Sequence, residues 1–209
     1  MSTSSKNLKL FTAPFNLHNP ITVQVLGICS ALAVTVKLKP AIVMGVSVMV
    51  VTAFSNLLIS LMRDYIPPRI RIIVQLVVVA ALVILVDQVL RAFVYDVSKQ
   101  LSVYVGLIIT NCIIMGRLEA YAMANKPWPS FVDGVGNGAG YAVILIMIGF
   151  TRELLGSGSL LGYNVVPQSF YEAGYMNNGM MIMPPMALIV VGLIIWVQRS
   201  KFPELNETH

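Results

Sequence analysis

Residues 40–62 read PAIVMGVSVMVVTAFSNLLISLM, a run without a single charged side chain that stops at Arg63. About 30 Å of hydrocarbon at 1.5 Å per residue takes about 20 residues, so a helix over this run is long enough to span a bilayer. Working outward, the same reading applies to Ile21–Val36 before it and to Ile72 through about Leu90 after it, across Asp87. Further on come Gln100–Gly116, Gly134–Thr151 and a stretch within Ala173–Gln198 that is densest from Met180 to Val197. The connections are short. The expected fold is an all-α integral membrane protein of six transmembrane helices, a single transmembrane domain over residues 1–209.

Composition agrees. The chain is 57% hydrophobic and 11% charged, with a mean hydropathy of +0.80. A soluble domain carries about 25% charged residues. Disordered and nucleic-acid-binding readings need a polar or basic surface and are excluded with it. The net charge of +5 reads as loop charge beside a membrane. Lys6, Lys9, Arg63, Arg69, Arg71, Arg117, Lys126, Arg199 and Lys201 fall on one side of the predicted spans. Lys37, Lys39, Arg91, Lys99 and Arg152 fall on the other. The larger group marks the cytoplasmic side and puts both termini there. Tyr65, Phe93, Tyr95, Trp128 and Trp196 sit near span ends, where amphipathic rings favour the interface. Pro67-Pro68, Pro127 and Pro129 are expected to break helices between spans. The N-terminal residues 1–20 carry no apolar core followed by a small-residue cleavage site, so no removable signal peptide is expected.

Six spans divide into three and three. A three-span unit duplicated in tandem inserts its second copy upside down, giving an inverted repeat about an axis in the membrane plane. The repeats are expected over about 20–95 and 98–198. Cys29 lies in the first span of the first half and Cys112 in the first span of the second. Both spans read as short or broken: Pro20 and Lys37 bracket the first, and Thr110-Asn111 interrupts the fourth before Gly116-Arg117. Interrupted spans at matching positions of two halves point to a binding site.

Two readings of the cysteines stand side by side. A free cysteine often packs as a small hydrophobe. As ligands, thiolates select zinc, copper(I) or iron–sulfur. A [2Fe–2S] cluster takes four cysteines and this chain has two, so a second protein chain would have to supply the rest. Zinc meets the same shortage, because His18 precedes the first span and His209 ends the chain. The shortage of histidine also speaks against a haem held between helices.

The stretch Leu26-Gly-Ile-Cys-Ser-Ala-Leu-Ala-Val-Thr35 resembles the D-subunit family of sodium-translocating NADH:quinone reductases. So do Ser98-Lys-Gln-Leu-Ser and Gly106-Leu-Ile-Ile-Thr-Asn-Cys-Ile-Ile-Met-Gly-Arg117, and the runs from Pro129 and from Thr151-Arg-Glu-Leu extend the match. A related branch is the E subunit of Rnf-type ferredoxin:NAD complexes, which tends to carry Pro after the first cysteine where this chain has Ser30-Ala31. The resemblance implies a membrane electron-relay subunit in the bacterial inner membrane, one of six subunits. It implies a pairing with a homologous E subunit of opposite topology. Each partner would bring one cysteine per half to a shared intramembrane [2Fe–2S] cluster, with Cys29 and Cys112 as the ligands from this chain. NAD, flavin and quinone would be bound by other subunits, in line with the absence of a Walker or Rossmann fingerprint.

Other residues carry weaker signals. Thr110 and Asn111, beside Cys112, could donate hydrogen bonds toward a cluster sulfur and tune its potential. Asp87 is a candidate for a sodium or proton path, or the partner of Arg91 four residues on. Asn56 suits an interhelical hydrogen bond. Gly134/Gly138 and Gly136/Gly140 form small-xxx-small patterns suited to close helix packing. Glu119, Asp133, Arg152 and Glu153 fall near the expected interfaces, where they are expected to anchor or pair. A stand-alone inverted-repeat transporter and a purely structural anchor are the competing functions; both tolerate loss of the cysteines.

Overall fold

The computed structural model describes residues 14, 19–93, 105–161, 163–164 and 179–201. Lys6, Lys9, Tyr95, Lys99, both histidines and the stretch 165–178 lie outside them. The described chain is helical apart from a two-residue antiparallel pairing of Ser159–Leu160 with Tyr163–Asn164. In order come α1 (Ile28–Val34), α2 (Leu38–Met62), α3 (Arg71–Phe93), α4 (Val105–Ile109), α5 (Cys112–Arg117), α6 (Pro127–Ser157) and α7 (Pro184–Lys201). A π-helical turn, Leu118–Ala122, follows α5.

Three of these, α2, α3 and α6, are long and apolar enough to cross a membrane. The first and fourth expected spans, read from the sequence as short or broken, are short and interrupted here. The Ile21–Val36 stretch is a tight turn followed by the seven-residue α1. Asn19 starts that turn, its Oδ1 accepting the N–H groups of Ile21 (3.0 Å) and Thr22 (3.2 Å). The Gln100–Gly116 stretch is two short helices, α4 and α5, broken at Thr110-Asn111; residues 100–104 lie outside the described ones. The last expected span is the 18-residue α7, whose final turn carries Arg199 and Lys201.

A correction concerns the prolines. Pro127 and Pro129 open α6 where a break was expected, because a first-turn N–H has no intrahelical acceptor and proline loses nothing there. The Gly134–Thr151 span therefore grows at both ends. It closes at Gly158, a left-handed glycine (φ 66°) whose N–H reaches the Leu154 carbonyl at 3.1 Å.

Helices α2 and α6 form the centre of the fold: more than half of each apolar window is buried within the chain, against 22% for α3. They run antiparallel, since contacts rise along α2 as they fall along α6. A methyl group added to Gly45 would lie 2.8 Å from Ala142 Cβ; on Gly138 it would lie 2.5 Å from Met49 Cα, and on Gly134 2.8 Å from Ala53 Cα. The glycine stripe thus packs inside this chain, backbone against backbone, as small-xxx-small patterns allow.

The contacts between α2 and α6 also follow a correspondence between the two helices. One constant offset pairs Pro40 with Pro129, Val43 with Val132, Gly45 with Gly134 and Val46 with Val135; further along it pairs Ala53 with Ala142, Ile59 with Ile148 and Arg63 with Arg152. The packing obeys the same pairing. Gly45 on Ala142 recurs as Gly134 on Ala53, and Met49 and Gly138, in contact, are each other's counterparts. A local two-fold axis therefore passes between those two residues. Cys29 and Cys112 lie closer together in sequence than this offset, because the segment before α6 (118–126) is longer than the one before α2 (35–37).

One pair of polar groups follows the same correspondence, Arg63 and Arg152. The Ser60 hydroxyl and the Arg63 guanidinium donate to the Asn125 carbonyl just before α6, at 2.6 and 2.9 Å. Arg152, the counterpart of Arg63, donates to the Leu32 carbonyl and Thr35 Oγ1 just before α2, at 3.4 and 2.7 Å. Asn56 makes the interhelical bond expected of it, to the Ser130 carbonyl at 3.1 Å.

Because Gly138 meets backbone that cannot swing aside, Gly138→Ala is expected to destabilise the purified protein by about 1–3 kcal/mol. Gly192→Ala, where an added Cβ meets nothing within 4 Å, is the neutral control. Thermal unfolding in detergent, read on both variants, checks the difference.

Candidate functional site

The two cysteines occupy equivalent local structures. Each sits in the first turn of a short helix that follows a backbone break: Cys29 is the second residue of α1 and Cys112 the first of α5. The first break is made of left-handed residues, Val25 (φ 58°) and Gly27 (φ 79°). Only glycine adopts that conformation freely, which explains Gly27 and leaves exposed Val25 strained. The second break is capped by side chain: Asn111 Oδ1 accepts the Ile113 N–H at 3.2 Å, the usual use of Asn before a helix.

The breaks pack on one another. The Ile113 side chain lies over Gly27, where an added Cβ would come within 2.8 Å of its Cδ1, and Leu26 lies over Gly116. Ser30, Ala31, Asn111, Ile113 and Ile114 are all buried here, yet Cys29 and Cys112 are both exposed and unbridged. Neither thiol is packing filler in the core.

Tyr141, fully buried near the middle of α6, joins the breaks. Its hydroxyl lies 2.6 Å from Ser30 Oγ and 3.4 Å from Asn111 Nδ2. The Ser30 hydroxyl has one proton and gives it to the Gly27 carbonyl at 2.8 Å. Tyr141 therefore donates to Ser30 and accepts from Asn111, a single chain of donors running Asn111, Tyr141, Ser30, Gly27. Sequence reasoning passed over Tyr141. Its signal was a phenol far from either end of an apolar run, where a buried O–H requires a partner.

The other candidates fall as follows. Thr110 is exposed and its hydroxyl donates to the Gly106 carbonyl of its own helix at 3.0 Å. Asn111 is buried with both side-chain atoms engaged, as above. Asp87 pairs with Arg91 at 2.9 Å, one helical turn on, and lines a pocket of about 10 Å³ with Ser47, Val83 and Ile108, room for one water. Glu119 pairs with Arg71, and Asp133 with Arg117.

The pairs made by Glu119 and by Asp133 are of the kind expected, but Asp133, Arg152 and Glu153 are all buried, which corrects their placement at an interface. The Arg152 guanidinium bonds the carbonyls of Met181 (3.0 Å), Ile182 (2.7 Å) and Met183 (3.3 Å), besides Leu32 and Thr35. Glu153 accepts the N–H of Leu38, the first residue of α2, and that of Leu161 at 3.0 Å. These adjacent residues thus hold the end of α1 and the start of α2. No group of three or more His, Cys, Asp or Glu side chains suited to a metal occurs among the described residues.

The family model described as "Rnf-Nqr subunit, membrane protein" matches residues 7–195. The chain is 57% identical to the D subunit of the Na(+)-translocating NADH-quinone reductase of Psychromonas ingrahamii over 99% of both sequences. It is 58% identical to the same subunit from Photobacterium profundum over 95% of both, and 53% identical to that from a Shewanella species over 99% of both.

Arg152→Met leaves several buried oxygens without a donor. Each such loss costs about 1–3 kcal/mol, so this variant is expected to unfold at markedly lower temperature than Arg91→Met, whose guanidinium is largely exposed. Gly27→Ala is expected to be comparably harmful, since it combines a left-handed backbone with contact against Ile113 and Tyr141. Thermal unfolding of the three variants checks both statements.

Proposed function

Because this chain belongs to the Rnf-Nqr family of membrane subunits, we propose that it is the D-type electron-relay subunit of a sodium-translocating NADH:quinone reductase. In this reading Cys29 and Cys112 are its two contributions to a [2Fe–2S] cluster shared with a homologous subunit. The assignment to that enzyme rests on relatives bearing the name, 52–58% identical over nearly their whole length.

The observation that carries the cluster reading is the pair of exposed, unbridged thiols on two cross-packed breaks. Thiolates are iron–sulfur ligands, and two are half of a four-cysteine set. The donor set therefore fits a group completed by a partner. A cluster bound there supplies one-electron transfer. The residues of this chain hold the two ligands at fixed places on buried backbone and leave the sulfurs facing outward, where a second protein can reach them.

The wider arrangement follows the same reading. The chain is one domain of two inverted repeats, about 20–95 and 98–198, with α1 and the α4–α5 pair as the broken first element of each. The two-fold relation of α2 and α6 supports this. The partner is the E-type subunit of opposite topology within a six-subunit complex of the bacterial inner membrane. Both termini lie in the cytoplasm, as the distribution of Lys and Arg favours. NAD, flavin and quinone bind to other subunits. Asp87, at the small pocket beside α4, is the candidate for an ion path. The corresponding subunit of an Rnf-type complex is the second reading, since the family model covers both branches; the named relatives favour the sodium pump.

Iron and acid-labile sulfide are measured on the purified complex together with its EPR spectrum, for wild type, Cys29→Ser and Cys112→Ser. Each variant is expected to assemble, to lose one cluster signal and to stop passing electrons to quinone. Unchanged iron and unchanged quinone reduction would sink the proposal and favour a transporter.

A further inference from the structure

The thiols hang from two separate pieces of backbone, and one side chain joins the pieces. We propose that Tyr141 is the positioning residue of the cysteine pair: its hydroxyl, bonded to Ser30 and Asn111, sets the separation of Cys29 and Cys112. The consequence for a bound cluster rests on the reading above; the consequence for the thiols does not.

The geometry leaves little slack. Ser30 and Asn111 are the immediate neighbours of Cys29 and Cys112, and adjacent Cα atoms are about 3.8 Å apart, so any shift of the bridge reaches both sulfurs through one peptide unit. Tyr141 itself is anchored, standing on α6 one residue from Ala142, which is clamped against Gly45 of α2. Its ring is the second wall of the Gly27 site: Cε2 lies 3.2 Å from where a Cβ on Gly27 would be. The donor chain runs in one direction, from the Asn111 amide through the phenol and the Ser30 hydroxyl to the Gly27 carbonyl. Asn111 also caps α5 with its remaining oxygen, so the residue that Tyr141 holds is the one that fixes where α5 begins. Ser30 ties the same phenol to the carbonyl of the left-handed residue that starts α1. A core filler would need only the ring. This tyrosine uses its hydroxyl in both directions, on the two residues flanking the candidate ligands.

The chain contains only two cysteines, both exposed, which allows a test without any cluster. Nitroxide labels are placed on Cys29 and Cys112 of the purified full chain in detergent, and their separation is read by pulsed EPR. Wild type is expected to give one narrow distance distribution. Tyr141→Phe, which keeps the ring and removes the hydroxyl, is expected to broaden the distribution and shift its mean. Ser30→Ala breaks the same bridge from a smaller side chain, and is expected to do likewise if the tyrosine variant folds poorly. Distributions unchanged in both variants overturn the proposal. In the assembled complex, Tyr141→Phe is expected to retain its iron but to shift the midpoint potential of the EPR signal that depends on Cys29 and Cys112. A retained signal at unchanged potential counts against Tyr141 alone. Iron that survives Cys29→Ser and Cys112→Ser counts against the cluster reading alone, and the label distances still decide the role of Tyr141.

Discussion

A peptide N–H or C=O without a partner in hydrocarbon costs several kcal/mol, and this chain interrupts two of its apolar segments. The rest of the structure follows from satisfying the groups those interruptions release. Asn19 accepts N–H groups at the start of the first broken segment, and Asn111 accepts one just after the break in the second. Ser30 takes the carbonyl of Gly27. Arg152 collects carbonyls from the end of α1 and from the segment leading into α7, and Glu153 takes the first N–H of α2. Irregular backbone is tolerated inside a membrane only where protein surrounds it, and α6 supplies the polar part of those surroundings through Tyr141, Arg152 and Glu153.

Helix α6 can do this because it is locked to α2. Glycine at positions 45, 134 and 138 removes the side chains that would hold the backbones apart. Lipid tails are as apolar as leucine, so close van der Waals contact and interhelical hydrogen bonds carry association in a bilayer. The local two-fold relation then gives each end of the pair the same task. Arg63 and Arg152 are counterparts, and each binds carbonyls just before the helix opposite. The function proposed for the cysteines depends on this frame, because a ligand pair is only as well placed as the backbone that holds it.

Much of the fold was legible in the residues. Charge-free runs located α2 and α3 to within a few residues, because a bilayer demands length and apolarity from whatever crosses it. The Gly134/Gly138 spacing announced a close contact, and Asn56 an interhelical bond. The pairing of Asp87 with Arg91 was legible in their spacing of one helical turn. The interruptions at Pro20 and at Thr110-Asn111 marked the first and fourth segments as irregular. Other features were not legible. Pro127 and Pro129 read as breakers, since proline forbids a helix interior and favours a helix start by the same missing N–H. Arg152 and Glu153 read as interfacial charges, because sequence cannot say which carbonyls will be left open nearby.

The sequence by itself determined that this chain belongs in a membrane, which segments are apolar enough to enter it, and that its two cysteines lie in two short or interrupted segments. Those properties are written locally, in composition, run length and spacing. Only the tertiary structure decided that the two broken segments lie against each other, that the thiols face outward while their neighbours are buried, and that one phenol on α6 bonds to both sides. Such facts depend on contacts between Ser30, Asn111 and Tyr141, residues far apart in the chain. No local pattern encodes a hydrogen bond whose partners meet only after α2 and α6 have packed.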